Sequence, residues 1–422
     1  MIPYAVTMST QSPIVVVGAG IIGVCIAFEL RRRGERVVLV ERNAPGMGAS
    51  YGNMACIAVT EFMPVSRPAV WGQIPKWLLD PEGPVCIRPS YLPRLLPWFV
   101  RFFAAGRPAR LRQLEAAGAT LCHRAHEDLD SLLRAADLTN MLSAEGCLSL
   151  YADDRELEAD RYHLDTLSRF GFRFEMLSGG AIREREPALA TWATRAALFP
   201  DNRSIADPFK LVTALVEKFQ ASGGELEHGE VVGFDQRDGA VAALQLNGGR
   251  RLAAAKTILA AGAHTGRLSR LLGEPIPLET ERGYHTQLSS AGVSIRHSLI
   301  WPARAFMVTP TAGGIRIGGT VEMAGLEAPP DYRRARVLVR HARDALPEIR
   351  SSDATEWMGH RPALPDTVPV ISASAKQRGL FYATGHGHLG LTYAATTGRL
   401  VADMVTGVQP PVDLGPYRID RF

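Results

Sequence analysis

Cysteine is sparse in this sequence and does not come in pairs. Five residues are scattered (Cys25, Cys56, Cys86, Cys122 and Cys147), and no two form a C-x-x-C spacing. This excludes a disulfide framework and reads as the reduced thiols of an intracellular protein. A charge imbalance is also missing. There are 47 basic and 43 acidic residues, a net +4, and no long Lys/Arg run, so no nucleic-acid partner is expected. No basic stretch precedes the first apolar run, so no signal peptide is expected. The longest apolar run, Ile14 to Phe28, is broken by Gly18, Gly20 and Gly23 and is too short for an ordinary membrane span. Internal repeats and low-complexity segments are absent. At 422 residues the chain can bury a large core and is expected to form two lobes.

The apolar run carries a message of its own. Ile14 to Val17 is short and β-branched, as a buried parallel strand should be. Gly18-Ala19-Gly20-Ile21-Ile22-Gly23 follows at once, and then a helical stretch with arginines near its end and Gly34 as its stop. A second strand, Arg36 to Val40, ends in Glu41. Strand, three glycines, helix, strand and acid together form a dinucleotide-binding fingerprint. Gly18 allows the tight turn, Gly20 lets backbone approach a pyrophosphate, and Gly23 lets helix pack on strand. The helix N-terminus offers free N–H groups and partial positive charge to phosphates. Glu41 can accept from ribose hydroxyls and would repel a 2′-phosphate. The fingerprint alone does not separate FAD from NAD.

Further along, Ala49, Ser50, Asn53 and Met54 lie in a loop of small residues close to the fingerprint, with Ser50 and Asn53 as polar donors. Trp71 to Arg112 mixes prolines with apolar and aromatic residues. It reads as a helical excursion on the core or as a peripheral membrane surface, with Trp98, Phe99, Phe102 and Phe103 in lipid and Arg94, Arg101 and Arg107 at head groups. A helix is predicted over 112–140, with His123 and His126 on one face. Another starts at Asp207-Pro208, with Asp as cap and Pro at the first position. Strands follow, including Lys256 to Gly262, several between Leu278 and Val321, and Phe381 to Thr384. A helix over 331–344 and a last one from Leu391 to about Thr406 complete the pattern. The fingerprint at one end and a glycine-rich loop, Gly385-His386-Gly387-His388-Leu389-Gly390, at the other imply a cofactor lobe built from separated pieces.

Taken in order, VVVGAGIIGVCIAFELRRRGERVVLVER, GASYGNMACIA, KTILAAGAHT, RGYH, GHRPALPDTVPVIS and GHGHLGLTYAATTGRL resemble the FAD-dependent D-amino-acid oxidase superfamily. The branch they resemble is that of bacterial D-amino-acid dehydrogenases and D-hydroxyproline dehydrogenases. The resemblance implies an α/β fold, with a Rossmann-like FAD-binding lobe around a parallel sheet and a mostly antiparallel substrate lobe. The matching boundaries are 12–75, 205–268 and 350–415 for the FAD lobe, and 76–204 and 269–349 for the substrate lobe. Arg42, Val231, Val232, Ala261, Gly262 and Gly359 join the fingerprint and the small-residue loop as expected FAD contacts.

The resemblance also accounts for the histidine-rich loop. It implies that Gly385, Gly387 and Gly390 let backbone approach the flavin. The last helix would then point its N-terminus at the ring and stabilise negative charge there. His386 and His388 would line the substrate pocket or touch the flavin rather than hold a metal, and no metal is expected. Arg361, in Gly359-His360-Arg361-Pro362, is the implied carboxylate ligand, for which a planar bidentate donor is suited. Tyr284 and His285 would lie on the pocket floor, with the Tyr284 hydroxyl offering a second carboxylate bond. Gly359 stands where some relatives carry a flavin-linking cysteine, so FAD is expected to be non-covalent.

The implied reaction is hydride transfer from a D-amino acid to flavin N5, giving an imino acid and then a 2-oxo acid. Electrons would pass to quinone or another respiratory acceptor. The alternative substrate is a secondary amine (cis-4-hydroxy-D-proline, D-proline, sarcosine or an opine), with a partner subunit in some cases. A cytoplasmic location is expected, with 71–112 as the candidate contact to the inner membrane.

Overall fold

A computed structural model describes residues 12–74, 77, 80, 82–143 and 145–422. Residues 1–11 and 144 lie outside it, as do 75, 76, 78, 79 and 81 of the predicted 71–112 excursion.

The strand Ile14–Val17 sits inside a six-stranded sheet. Its order is Glu225–His228, Val37–Glu41, Ile14–Val17, Lys256–Leu259, Leu380–Thr384, Val370–Ala373. The first five strands are parallel and the last is antiparallel. Both faces are covered, which is why these strands are apolar throughout. Val16, Leu39 and Ile258 face the helices Ile21–Arg32, Pro208–Ala221 and Gly390–Thr406. Val15, Val17, Val38 and Leu259 face a small antiparallel sheet of Val231–Arg237, Ala240–Leu246 and Arg251–Ala253. Two glycines set the helix packing. A Cβ on Gly23 would overlap the Gly18 carbonyl oxygen, and one on Gly398 would press 3.0 Å from Cys25 in the neighbouring helix. Arg33 at the end of the first helix pairs with Asp403 of the last at 2.7 Å.

The second large sheet is nine-stranded and mostly antiparallel. It runs Thr355–Ala363, Glu279–Leu288, Gly314–Met323, Phe306–Thr311, Ser298–Trp301, Cys147–Tyr151, Arg195–Phe199, Glu175–Ser178, with Val85–Ile87 added beside Gly314–Met323. The segment 350–415 therefore opens in this sheet and crosses to the six-stranded one at Val370.

The predicted helices form. Asp207 caps its helix by accepting from the N–H groups of Phe209 and Lys210. The helix expected over 112–140 instead spans Pro108–Ala136. It starts early because Pro108 fits the first position, and it stops early because Asp137 turns left-handed at φ 57°. On Leu92–Ala105, Trp98 and Phe102 point inward, 6% exposed each and stacked at 5.3 Å, so neither reaches lipid. Arg94, Arg101 and Arg107 are exposed. No helix of the described residues is long and apolar enough to cross a membrane.

Candidate active site

A cavity of about 770 Å³ runs from the C-terminal ends of the parallel strands to the face of the large sheet. At the fingerprint end, Gly18, Gly20, Ile21 and Ile22 form its wall. Gly20 has ordinary backbone angles, φ −74° and ψ 174°, and a Cβ there would meet only Ser50 Oγ, at 3.3 Å. The space beside it is the cavity, so Gly20 answers to what fills that space. Gly23 lies beneath the wall, packed on Gly18. Ala19 also lies off the wall, and its N–H donates to Glu41 Oε2 at 2.8 Å. With Asn43 N–H on its other oxygen at 3.0 Å, Glu41 is held at the strand end on the cavity wall.

The loop after it is tied down. Ser50 Oγ accepts the Ile21 N–H at 2.9 Å, which leaves the hydroxyl proton free to donate. Asn53 is spent otherwise than expected. Its amide donates to Ser50 O at 3.0 Å and accepts from Ala55 N–H at 2.8 Å, so it shapes the loop from the wall. Arg42 meets His264 at 2.7 Å. Burial first, then Arg42 and Arg267, push the His264 pKa down to about 4, so the ring is neutral. Ala49, Met54, Val231, Ala261, Gly262 and Gly359 all line the cavity. Val232 does not. It alternates outward from Val231 and is 38% exposed.

At the other end the glycine-rich loop contributes His386, Gly387, His388, Leu389 and Gly390. Gly387 has φ 53°, and a Cβ on it would meet nothing within 4 Å, so backbone borders open space there. Gly385 is different. It is not on the wall, and a Cβ on it would overlap the Leu364 side chain. Its role is packing. His386 is buried, bonded to Thr397 Oγ1 at 3.0 Å, and burial lowers its pKa to about 3. His388 Nε2 donates to the Glu61 carbonyl at 3.3 Å, and burial lowers its pKa as well. Both rings are therefore neutral. Among the described residues no group of three or more His, Cys, Asp or Glu is placed to hold a metal ion. His123 stacks on Phe172, with ring centroids 4.4 Å apart.

Arg361 projects from Thr355–Ala363 into the cavity. Its guanidinium lies over Gly283, where any Cβ would collide with it, and Nη1 donates to Thr320 O at 2.9 Å. No carboxylate of the described residues lies within ion-pair distance of it. Desolvation pushes its pKa below the usual arginine value, with the charge of Glu281 opposing from beyond ion-pair distance. A half-buried guanidinium with no close carboxylate, on a cavity wall, is poised to meet an anion. Thr320 holds that carbonyl by adopting φ 58°, rare for a β-branched residue, and its own hydroxyl is buried without a partner.

Two residues expected beside Arg361 serve elsewhere. The Tyr284 hydroxyl donates to Glu322 Oε2 at 2.5 Å and accepts the Asp331 N–H at 2.9 Å, so it has nothing left for a substrate carboxylate. Burial and that bond push its pKa to about 12. His285 is buried behind the wall, on Gly52 O at 2.8 Å and stacked on Trp357. Tyr284 still lines the cavity, with its hydroxyl committed, whereas His285 does not, and the wall also carries residues not singled out in the sequence: Glu61, His264, Arg267, Glu281, Thr320 and Trp357.

The donor set suits a long dinucleotide bearing a flat ring. It has a glycine cradle at a helix start, a fixed carboxylate at one end, and open backbone at a second helix start. The FAD-dependent oxidoreductase family model, DAO, matches residues 13–404. The chain is 33% identical to a D-amino-acid oxidase of Bradyrhizobium diazoefficiens, over 97% of this chain and 98% of that one. It is 30% identical to a D-amino acid dehydrogenase of Rhizorhabdus wittichii, over 97% and 100%. Glycine oxidase from Geobacillus kaustophilus shares the fold with a TM-score of 0.75 at 22% identity, over 97% of this chain and 98% of that one. L-proline dehydrogenase from P. horikoshii does so with a TM-score of 0.73 at 22% identity, over the same shares. With its fingerprint, its glycine-rich return loop and these matches across nearly the whole length, the chain belongs to the DAO family of FAD-dependent oxidoreductases.

Proposed function

We propose that this enzyme oxidises a D-amino acid to the imino acid, which hydrolyses to a 2-oxo acid. The observation that carries the reading is Arg361, a half-buried guanidinium with no carboxylate of the described residues within ion-pair distance, on the wall of the cavity that the fingerprint opens into. The D-amino-acid activities of the two relatives named above support the substrate class. The segments 12–75, 205–268 and 350–415 would hold FAD, and 76–204 and 269–349 the substrate, with Arg361 on the strand where the two meet.

Gly18, Gly20 and the start of the first helix would hold the pyrophosphate, and Glu41 the ribose. Gly387 to Gly390 would border the flavin. Bound FAD supplies a two-electron acceptor for the hydrogen on the α-carbon. Arg361 takes the α-carboxylate and fixes which bond of that carbon faces the cofactor. His388, neutral and bonded to Glu61 O, shapes the cavity without adding charge. Trp98, Phe102 and Met323 keep water from its apolar end. Orientation and exclusion of water are the protein's contribution to rate. Cys56 is the cavity's one cysteine, far in sequence from Gly359, and we read the FAD as non-covalently held.

An anaerobic absorption spectrum of the purified protein tests this. Flavin bands should bleach on adding one or more D-amino acids and persist with their L-enantiomers. Bands that bleach only with sarcosine, opines or cis-4-hydroxy-D-proline would move the substrate to secondary amines. Bands that bleach with nothing would end the reading.

For the acceptor, we favour a membrane quinone. Leu92, Leu96, Val100 and Phe103 form an outward stripe on Leu92–Ala105, exposed by 43, 56, 70 and 41%. Arg94 and Arg101 are exposed on the same helix, and Arg107 follows it. An exposed apolar stripe with basic residues on the same surface element suits an anionic bilayer surface. A Leu96→Ser, Val100→Ser, Phe103→Ser triple variant should sediment with phosphatidylglycerol vesicles at least about tenfold less, since three large apolar groups leave the interface. Equal sedimentation of both proteins would remove the membrane from this account.

A further inference from the structure

Glu281 and Arg361 are directly opposed across the antiparallel pair Glu279–Leu288 and Thr355–Ala363. Directly opposed residues share a face of the sheet, with Cβ atoms about 5 Å apart. Both line the cavity. They do not form an ion pair. The guanidinium is drawn aside over Gly283 and tethered to Thr320 O, which leaves the carboxylate of Glu281 without a hydrogen-bond or ionic partner among the described residues. The nearby His388 makes no hydrogen bond or ion pair with it, and Glu281 only opposes the desolvation that lowers the His388 pKa. The other cavity acids are occupied: Glu41 accepts two backbone N–H groups, Glu230 lies within ion-pair distance of Arg42 and Arg267, and the Glu61 carboxylate accepts from the Thr60 hydroxyl at 3.5 Å while its carbonyl holds His388. On this face of the sheet the wall thus presents a cation and an anion as directly opposed neighbours that do not form an ion pair with each other.

We propose that Glu281 receives the substrate's ammonium group, so that Arg361 and Glu281 together form a two-point clamp for an amino-acid zwitterion. This rests on the reading of Arg361 as the carboxylate site. Two charges on one carbon skeleton, met by two fixed opposite charges, leave the α-carbon little freedom to rotate. That makes Glu281 a residue that touches substrate and sets which face of the α-carbon meets the cofactor. It also selects against simple carboxylates, which would bring a negative charge to Arg361 and offer nothing to Glu281.

The test is equilibrium binding to the FAD-loaded protein, by calorimetry, of two probes that cannot be oxidised. Isobutyrate offers the carboxylate alone. 2-Aminoisobutyrate adds an ammonium to the same skeleton and has no α-hydrogen. The natural protein should prefer 2-aminoisobutyrate by roughly tenfold or more, the scale of a partly buried ionic contact. Glu281→Gln keeps the shape and should abolish that preference while binding isobutyrate at least as well. Arg361→Gln should weaken both probes. If E281Q keeps the preference, or the natural protein shows none, the proposal is overturned. If E281Q impairs turnover of D-lysine and leaves D-alanine untouched, Glu281 is a side-chain partner and the proposal is again overturned. Failure of R361Q to weaken either probe would bring down the carboxylate site itself, a result distinct from the others.

Discussion

Arg361→Ala is expected to lower kcat/KM for the amino-acid substrate by roughly 10²- to 10³-fold, most of it through KM, since truncating one partner of a buried charge pair costs about 2–5 kcal/mol. The protein should keep its fold and its flavin. Among the described residues the side chain's one hydrogen bond is to Thr320 O, and the space it vacates adjoins an existing cavity. Arg361→Lys should recover only part of the loss, because a point charge cannot reproduce two parallel N–H donors on one carboxylate. Steady-state kinetics with a thermal melt of each variant checks this. An unchanged KM in a folded, yellow Arg361→Ala protein would take the carboxylate away from this arginine.

The second large effect separates two glycines three positions apart. Gly20→Leu should fold and carry no FAD. Its backbone angles suit leucine, the new Cβ would meet only Ser50 Oγ, and Gly20 lines the cavity in which the fingerprint would hold pyrophosphate. Gly23→Ala should fail earlier, at folding, because its single methyl overlaps the Gly18 carbonyl oxygen. Flavin absorbance per chain, read beside the melting temperature, distinguishes the two. A Gly20→Leu protein with a full complement of flavin would mean that the cofactor's phosphates lie elsewhere.

The residues legible in the sequence were those whose job is set by local geometry. The turn at Gly18, the close packing at Gly23 and the acid at the end of Val37–Glu41 are fixed within one strand–helix–strand unit, and the structure puts them where the spacing implied. Arg361 was marked by the resemblance of its Gly-His-Arg-Pro segment, and the structure puts it on the cavity wall. What stayed hidden depends on partners remote in sequence. Tyr284 could not be seen to spend its hydroxyl on Glu322, nor Gly385 to exist for Leu364. Glu281 gave no signal at all, since its interest lies in the strand it happens to face. Val232 was misplaced for a simpler reason: neighbours in a strand point opposite ways, and only Val231 can face the cavity. Trp98 and Phe102 looked lipid-facing alongside Phe103 because periodicity does not say which stripe of a doubly apolar helix is buried.

The six-stranded sheet has a consequence for how the molecule comes into being. Its central strand, Ile14–Val17, is flanked on one side by Lys256–Leu259, and beyond that by Leu380–Thr384. A chain leaving the ribosome can pair Ile14–Val17 with Val37–Glu41 almost at once, yet the other edge of that strand stays unpaired until far more of the protein has been made. Such distant pairings slow folding and leave hydrophobic strand edges open in the meantime. The glycine-rich loop that closes the cavity emerges later still. Completion of the cofactor site therefore waits for residues 385–390, made more than 350 residues after the fingerprint at 18–23 that begins it.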